Sequence, residues 1–514
     1  MQPIHPFSIT APGFAGVNTQ DSPVDMDTKF ATDANNAIID KYGRIGARKG
    51  WLAVNTTNVA LGTSNIEAIG ECVGTDGTLT IICAGANKLF KRTTTTLTEL
   101  TYGGGGVAPV ITSSNWQMCT LNGALLLFQE GFDALLYDPS TSTTQYTRVS
   151  EHATYSGTLG QNNCGIAAYG RIWSARSATD KITVQWSDTL TFQKWTAGTS
   201  GSLNLYGVWP QGGDEIVALA AHNNQLIIFG KKQTLVYTGA KDPSTMALYD
   251  AIGNSGCAGR DTVQNTPQDL VYLSFNGVQS LARTIQEKSA PLIGLSRTVN
   301  DDVMAYALNE ASSTSIKSAY SAADSAYLLS FKTSGLTFCF DMRTPMQDGS
   351  HRATTWTSIA PQCYCYSGDG TLYMGKAGYL GKYYGYTDNG TIYRMTYFTP
   401  WIDFGDPIRT SIMKKIMVSL IGTTSMGITF KWGFDYVGMT HSNTSSLSAG
   451  VTPGEYNIGE YSIAEYSRNA AIRNLAMSAS GSGKVVQVGV ECQITGNPLS
   501  IQRVDVFTKD GAYK

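Results

Sequence analysis

From about Ile66 to the C-terminus, short runs rich in Ile, Val, Leu, Tyr and Phe alternate with clusters of Gly, Asn, Asp and Ser. Apolar runs of this length, bounded by turn residues, predict β-hairpins. One shape keeps returning: an apolar strand, a short polar turn, then a second apolar strand. It occupies residues 80–92, 125–138, 172–188, 226–239, 270–283, 327–341 and 371–385. The second strands begin near Leu89, Leu135, Ile182, Leu235, Val278, Leu336 and Leu380, at spacings of 43 to 58 residues. A strand-built period of roughly 40–50 residues predicts a β-propeller whose blades each hold about four strands. A string of β-sandwiches is the competing architecture, but sandwiches carry turns every ~8–12 residues without a longer period.

Three departures from this rhythm set the expected organisation. Residues 1–65 are irregular and rich in Pro, Asn and Asp, and read as an extended N-terminal arm followed by one hairpin. Residues 66–388 form the propeller-like domain. Residues 389–514 change pattern: "GITFKWGFDYVG" and "GKVVQVGVECQITG" alternate apolar and polar positions, which predicts a C-terminal β-sandwich-like domain. The whole is therefore expected to be all-β. One helix is predicted inside the propeller, over residues 295–311, with Ser296 as N-cap and Val299, Val303 and Ala307 at i, i+4 spacing. Asp301 and Asp302 suit the positive end of its dipole.

Composition narrows the function classes. Charged residues make up 15% of the 514 residues and the formal net charge is -2. The average soluble domain carries about 25% charged residues, so this surface is built largely from Ser, Thr, Asn, Gln and Gly. A near-neutral chain lacks the basic field of a dedicated nucleic-acid binder. The nine cysteines form no CxxC pair, which excludes a zinc knuckle and a disulfide framework and predicts buried free thiols, as in a reducing cytoplasm. The first residues show no charged-then-apolar secretory pattern. No apolar run nears the ~18 residues needed to span a bilayer, so no stable membrane insertion is expected.

The search for catalytic chemistry returns nothing. "SASGSGKVV" matches a P-loop only at Gly483 and Lys484, because Ser478 stands where the first Gly belongs and Val485 follows the lysine. The run Gly103 to Gly106 leads to Pro109 and reads as a flexible loop. In "GNSGCAG", Ser255 sits two after a Gly, but Cys257 replaces the second Gly of a nucleophile elbow. His5, His152, His222, His351 and His441 are too far apart for a metal motif and read as surface or packing residues. The micro-repeat "GEYNIGEYSIAEYS" places Glu455, Glu460 and Glu465 before Tyr456, Tyr461 and Tyr466. Period five alternates sides on a strand, so the three carboxylates do not converge locally, and an interface stripe or loop is expected. No catalytic, cofactor-binding or metal-ligating residue is assigned, and no cofactor and no enzymatic activity are expected.

The stretch "DKYGRIGARKGW", residues 40–51, packs four cations and three glycines into twelve residues. No helix pattern follows it, so it cannot seat phosphate at a helix N-terminus. Gly43 and Gly46 are expected to allow tight turns. Lys41, Arg44, Arg48 and Lys49 are expected to form a solvated or partner-facing surface, with Trp51 as an anchor.

Three blocks carry a family resemblance. The first holds Gly13, Gly16, Asn18, Asp21, Pro23, Asn35, Asn36, Ala37, Asp40, Gly43, Arg48 and Gly50. The second is "GNSGCAGRDTVQNTPQDLVYLSFNGVQSLAR", followed by Leu295 and Ser296. The third is "WIDFGDPIRTSIMKKIMVSL", from Trp401 to Leu420. Together they resemble the tail nozzle (tail hub, or tail tubular) proteins of short-tailed bacteriophages. Gly46 and Ala47 stand where relatives often run straight into the arginine. The resemblance implies a virion structural protein without catalysis, six copies of which form a channel below the portal and adaptor for genome ejection. It further implies contacts with the adaptor or head-to-tail connector and with tail fibre or needle proteins, viral DNA passing without sequence-specific binding, and assembly into the virion in the host cytoplasm. The competing functional reading is a carbohydrate-binding or glycan-degrading propeller, with an axial pocket lined by aromatics and a carboxylate pair. An adhesin is a third, but the short rung repeat of a β-helix is not seen.

Overall fold

The computed structural model describes residues 4–56, 58–288, 294–404, 409–422, 426–447 and 471–513. Each of the seven recurring hairpins forms the two middle strands of a separate blade, except the fifth, whose second strand is outermost. Blade 1 consists of Ile66–Val73, Leu79–Gly85, Lys88–Arg92 and Leu97–Glu99, in that order from the axis outward. Blade 2 begins with Gln117–Leu121, blade 3 with Cys164–Ala168 and blade 4 with Ile216–His222. Blade 5 begins with the two-residue strand Gln264–Asn265, blade 6 with Ile316–Ser321 and blade 7 with Tyr364–Tyr366. Neighbouring inner strands touch around the ring, and those of blade 7 return to Ile66–Val73. The fold is thus an all-β, seven-bladed propeller carrying a second β domain.

Turn chemistry sets the register within blades. In blades 2, 3 and 4 the inner hairpin turns on Asn122-Gly123, Tyr169-Gly170 and Asn223-Asn224, and all six residues have positive φ. Two consecutive left-handed residues make the tight turn whose twist matches that of the flanking strands. Between blades, alternate apolar side chains mesh. Leu125 and Leu127 pack against Ile82 and Ala84, and Leu226 and Ile228 against Trp173 and Trp186. The ring of cores closes where Ile66, Ile81 and Phe90 of blade 1 meet Tyr373 and Leu380 of blade 7.

Blade 7 takes its outer strand from the N-terminal region: Trp51–Ala53 pairs antiparallel with Tyr379–Tyr383. Blade 6 is likewise extended by Gly16–Val17, parallel to Ala353–Trp356. The span read as a separate arm, 1–65, is therefore woven into other sheets. Ile4–Thr10 runs along Leu499–Tyr513, and the hairpin Ala37–Ile39 with Ile45–Ala47 joins the same sheet.

That sheet and a second one make the C-terminal sandwich. One layer holds Ala471–Ser478, Arg409–Gly422 and Leu499–Tyr513 with the N-terminal strands. The other holds Tyr393–Phe398, Val486–Ile494, Met426–Phe434 and His441–Leu447. Ile416, Val418, Val504 and Val506 face Ile428, Phe430, Val488 and Val490 in a core continuous with blades 5 and 6. Apolar burial at ~25 cal/mol per Å² makes such a shared core the main term holding the two domains together.

The helix prediction is corrected in two places. Helix α1, Leu281–Glu287, replaces the end of the stretch read as strand through Arg283, because the Ser280 hydroxyl accepts from the Arg283 N–H at 3.3 Å and caps a helix there. Helix α2 covers Asn300–Asn309, preceded by a short 3-10 turn, and keeps Asp301 and Asp302 in its first turn. Ser296 is not its cap. Its hydroxyl accepts from the Val278 N–H and donates to Asn300 Oδ1.

Candidate functional site

Two polar constellations stand out from the apolar frame: one at the propeller axis and one at the joint between the domains.

Blade 5 starts late. In place of a full inner strand it presents the turn Arg260–Thr262, which points Arg260 into the axis. The Arg260 guanidinium reaches Asn163 of blade 3, donating through Nη1 to its carbonyl at 2.9 Å and to Oδ1 at 2.8 Å. Nη2 reaches the Asn115 carbonyl ahead of blade 2 at 3.3 Å. Nε and Nη2 also hold the two oxygens of Asp261 at 2.8 and 3.1 Å. Lys317 of blade 6 donates to Asp261 Oδ2 at 2.5 Å and to Asn115 Oδ1 at 2.6 Å. All five guanidinium donors are used, as a buried Arg requires. Burial alone would raise the Asp261 carboxyl, but the Arg260 and Lys317 charges outweigh it and hold the group well below its usual value. Burial, with the Arg260 charge, weakens the basicity of Lys317.

This hub ties blades 2, 3, 5 and 6 together. Above it lies a cavity of about 390 Å³, lined by Glu67, Gln129, Glu130, Arg176, Arg260 and Lys332 among others. Arg176 is held by Glu130 at 3.3 Å and by the Ile216 carbonyl at 3.1 Å.

The joint between domains is built on Arg48, which is fully buried, as is Arg44. The expected solvated basic face is thereby corrected at Arg44 and Arg48, while Lys41 is exposed. Arg48 pairs with Asp388 through two contacts, and also donates to Asn36 Oδ1 at 3.0 Å and to the Ser358 hydroxyl at 2.5 Å. Its guanidinium lies 4.0 Å from the Tyr393 ring centroid. Arg44 Nε donates to Asp40 Oδ2 at 2.7 Å and its guanidinium stacks 4.1 Å from the Tyr42 ring. Lys49 is the partly exposed member and meets Asp324 at 3.2 Å. Gly43 has positive φ, as a turn requires; Gly46 instead sits in a strand, where a Cβ would lie 2.9 Å from Ser500 Oγ. Trp51 packs in the blade 6–7 core, with the Lys376 ammonium 5.4 Å from its ring centroid.

The remaining sequence candidates are dispersed. Ser255 is buried against the Tyr272 hydroxyl at 2.6 Å, and the Cys257 thiol, donating to the Gly259 carbonyl, is pushed up to about 11 by burial. Neither has the exposed, activated form of a nucleophile. All nine cysteines are free thiols; seven are buried, and Cys119 and Cys365 are half-buried. His351 is buried against the Asp341 carbonyl, His152 edges onto Phe192, His441 stacks on Trp432, and His222 meets Asn265. Among the described residues, no group of three His, Cys, Asp or Glu side chains is arranged to hold a metal. No helix among them is long and apolar enough to cross a membrane. The Glu-Tyr micro-repeat lies outside the described residues. The axial hub escaped sequence reading. Its one local signal is an Arg-Asp pair wedged between Gly259 and a strand, where a solvated turn reads the same way.

No family model matches the chain, and no curated protein matches it. Solved structures resemble it in outline. The extracellular domain of a protein assigned to the one-component systems of B. thetaiotaomicron aligns at 11% identity and a TM-score of 0.42, over 80% of this chain and 57% of that one. The chain thus spans a little over half the length of that structure. YCF48 from Cyanidioschyzon merolae aligns at 9% identity and a TM-score of 0.38, over 65% of this chain and 99% of that one. The WD40 domain of Neurospora crassa Pan2 aligns at 10% identity and 0.37, over 70% and 98%.

Proposed function

We propose that this chain is the tail nozzle protein of a short-tailed bacteriophage. Six copies form a ring below the portal and adaptor, and the genome leaves through the channel between them. The observation that carries this reading is where the three resembling blocks fall. Residues 13–50 lace the sandwich to blades 6 and 7, residues 253–283 form blade 5, Leu295 and Ser296 stand just ahead of α2, and residues 401–420 include the long central strand of the sandwich. All three lie in or beside the part of the fold that fixes one domain against the other. A ring subunit needs that fixed angle, since small errors accumulate around a closed symmetric assembly.

Three further features support the reading. The Arg260 hub places buried, hydrogen-bonded side chains between blades 2, 3, 5 and 6, which suits a conduit lying between copies rather than through one. A chain with 37 Lys and Arg against 39 Asp and Glu suits a wall past which DNA slides, because grip on phosphate grows with unpaired cations. Buried free thiols suit assembly in a host cytoplasm. In this role the protein contacts the adaptor and the fibre or needle proteins and performs no catalysis. The glycan reading is less well supported: the lining of the axial cavity is charged and small-polar, with Val217 its apolar member, where sugar pockets present aromatic faces.

Electron microscopy of the purified protein, alone and mixed with a portal–adaptor complex, tests the proposal. The expected result is a six-fold ring that docks on the adaptor. A monomer that binds or hydrolyses glycans overturns it.

A further inference from the structure

We propose that Lys317 and Asn115 become joined by an isopeptide bond that the folded chain makes by itself, with Asp261 carrying the protons and with loss of ammonia. The three side chains come from separate places. Lys317 lies on the inner strand of blade 6, Ile316–Ser321. Asn115 stands in the link just ahead of Gln117–Leu121, and Asp261 in the turn Arg260–Thr262. Their reacting atoms nevertheless meet: Lys317 Nζ is 2.6 Å from Asn115 Oδ1 and 2.5 Å from Asp261 Oδ2. A C=O bond of about 1.23 Å then puts Asn115 Cγ no more than about 3.8 Å from the nitrogen, close to the about 3–3.5 Å of a near-attack arrangement. The other amide of the hub, Asn163, is held by Arg260 instead.

The surroundings supply what aminolysis of an amide needs. The first need is fixed geometry. Arg260 Nη2 donates to the Asn115 backbone carbonyl at 3.3 Å, and on either side of Asn115 the residues Ser114 and Trp116 are buried. Orientation of this kind is worth effective concentrations that reach about 10⁵–10⁸ M. The second need is exclusion of water, so that hydrolysis does not compete; Lys317 and Arg260 are each 4% exposed. The third is a path for protons. Lys317 rests as an ammonium paired with Asp261, and only its neutral amine attacks. Burial weakens its hold on the proton. Arg260 keeps Asp261 ionised and able to accept that proton, and makes the protonated carboxyl a ready donor to the leaving nitrogen.

The step balances without a co-reactant. The Lys317 Nζ–Asn115 Cγ bond forms and the Asn115 Cγ–Nδ2 bond breaks. Two protons pass from Nζ to Nδ2 by way of Asp261, Nδ2 departs as ammonium, and nothing is oxidised or reduced. The hub begins with two cations around one carboxylate, and the product keeps Arg260 and Asp261 as a matched pair. Losing the surplus buried charge favours the product. Asn115 also lines the cavity of about 390 Å³ beside the hub, which gives the leaving group space to enter. The bond links positions 202 residues apart and ties the entry of blade 2 to blade 6. It forms within one chain, so it stands or falls independently of ring assembly.

The test is mass spectrometry of the full-length protein, incubated folded at neutral pH and then denatured. Beyond the substitution itself, the parent is expected to be lighter than Asn115→Ala by one ammonia in most molecules. Digestion of the parent is expected to yield a branched peptide joining residues 115 and 317, absent from Asn115→Ala and from Lys317→Arg. Asn115 is half-buried, so Asn115→Ala is expected to keep the parent's circular dichroism, which separates loss of the bond from loss of the fold. Among folded Asp261→Asn molecules the cross-linked fraction is expected to fall about tenfold or more. A parent that retains its full sequence mass after days in the folded state overturns the proposal. So does a mass deficit that survives Asn115→Ala, which places the lost ammonia elsewhere. Undiminished cross-linking in Asp261→Asn overturns the role given to that carboxylate.

Discussion

Arg48 and Asp388 face each other across 340 residues of chain in a two-pronged contact, Nη1 to Oδ1 at 2.9 Å and Nη2 to Oδ2 at 2.7 Å. The arginine is fully buried and the carboxylate nearly so. Removing one partner from such a pair leaves a charge without compensation, at a cost of about 3–5 kcal/mol. Asp388→Asn is therefore expected to destabilise the protein by that amount in urea unfolding. Arg48→Met combined with Asp388→Leu is expected to recover part of the loss. A cost below about 1 kcal/mol for Asp388→Asn would show that the contact does not hold the joint.

The axial hub has a pH signature. The folded-state carboxyl of Asp261 lies below its usual value of 3.8, because neighbouring cations outweigh burial. A depressed carboxyl contributes stability that is fully present above the usual value and is lost as pH falls below it. The difference in urea midpoint between the parent and Asp261→Asn is expected to be constant from pH 7 to about 5 and to shrink below about 4. A gap that stays constant down to pH 3 contradicts the assignment.

Lys376 behaves in the opposite sense. Burial lowers its ammonium from 10.5 to about 8, with Asp388 partly opposing the shift. Between those two values the unfolded chain binds more protons than the folded one, so stability due to this group rises with pH across that window. Relative to Lys376→Met, the parent is expected to gain stability from pH 8 to about 10. A flat difference over that range rules the effect out.

Gly50 marks where the N-terminal segment crosses blade 7. A Cβ there would meet the Thr387 carbonyl oxygen at 1.9 Å and its carbon at 2.4 Å, both backbone atoms. Gly50→Ala is expected to cost about 1–3 kcal/mol or more, as for overpacking that the backbone cannot relieve. Thermal unfolding measures it, with Gly62→Ala as a control at an open position for which positive φ is the only penalty. Equal effects of the two substitutions would place the crossing elsewhere.

The seven hairpins were legible because each is a local device: two apolar runs around a turn, such as Leu226–Gly239 around Lys231 and Lys232. The period then reports the ring. Arg48 was not legible for the converse reason. A cation in a Gly-rich stretch looks solvated until Asp388, Ser358 and Tyr393 are brought to it, and those lie more than 300 residues away. Arg260 escaped for the same reason, since Asn115 and Asn163 arrive from other blades. Strand ends failed differently: Leu281 continues an apolar run, but Ser280 supplies a cap, and capping chemistry ended the strand.

The outer strand of blade 7 has a consequence for synthesis. Trp51–Ala53 leaves the ribosome early, yet its partner Tyr379–Tyr383 is made some three hundred residues later, and Ile4–Thr10 waits for Leu499–Tyr513. The propeller is not finished until Tyr379–Tyr383 is made, and the sandwich not until Leu499–Tyr513 is. Pairings of such long sequence separation are slow to form and leave strand edges open meanwhile. A nascent or truncated chain is thus held in an incomplete state, and the surfaces that require both domains in place arise only on complete molecules.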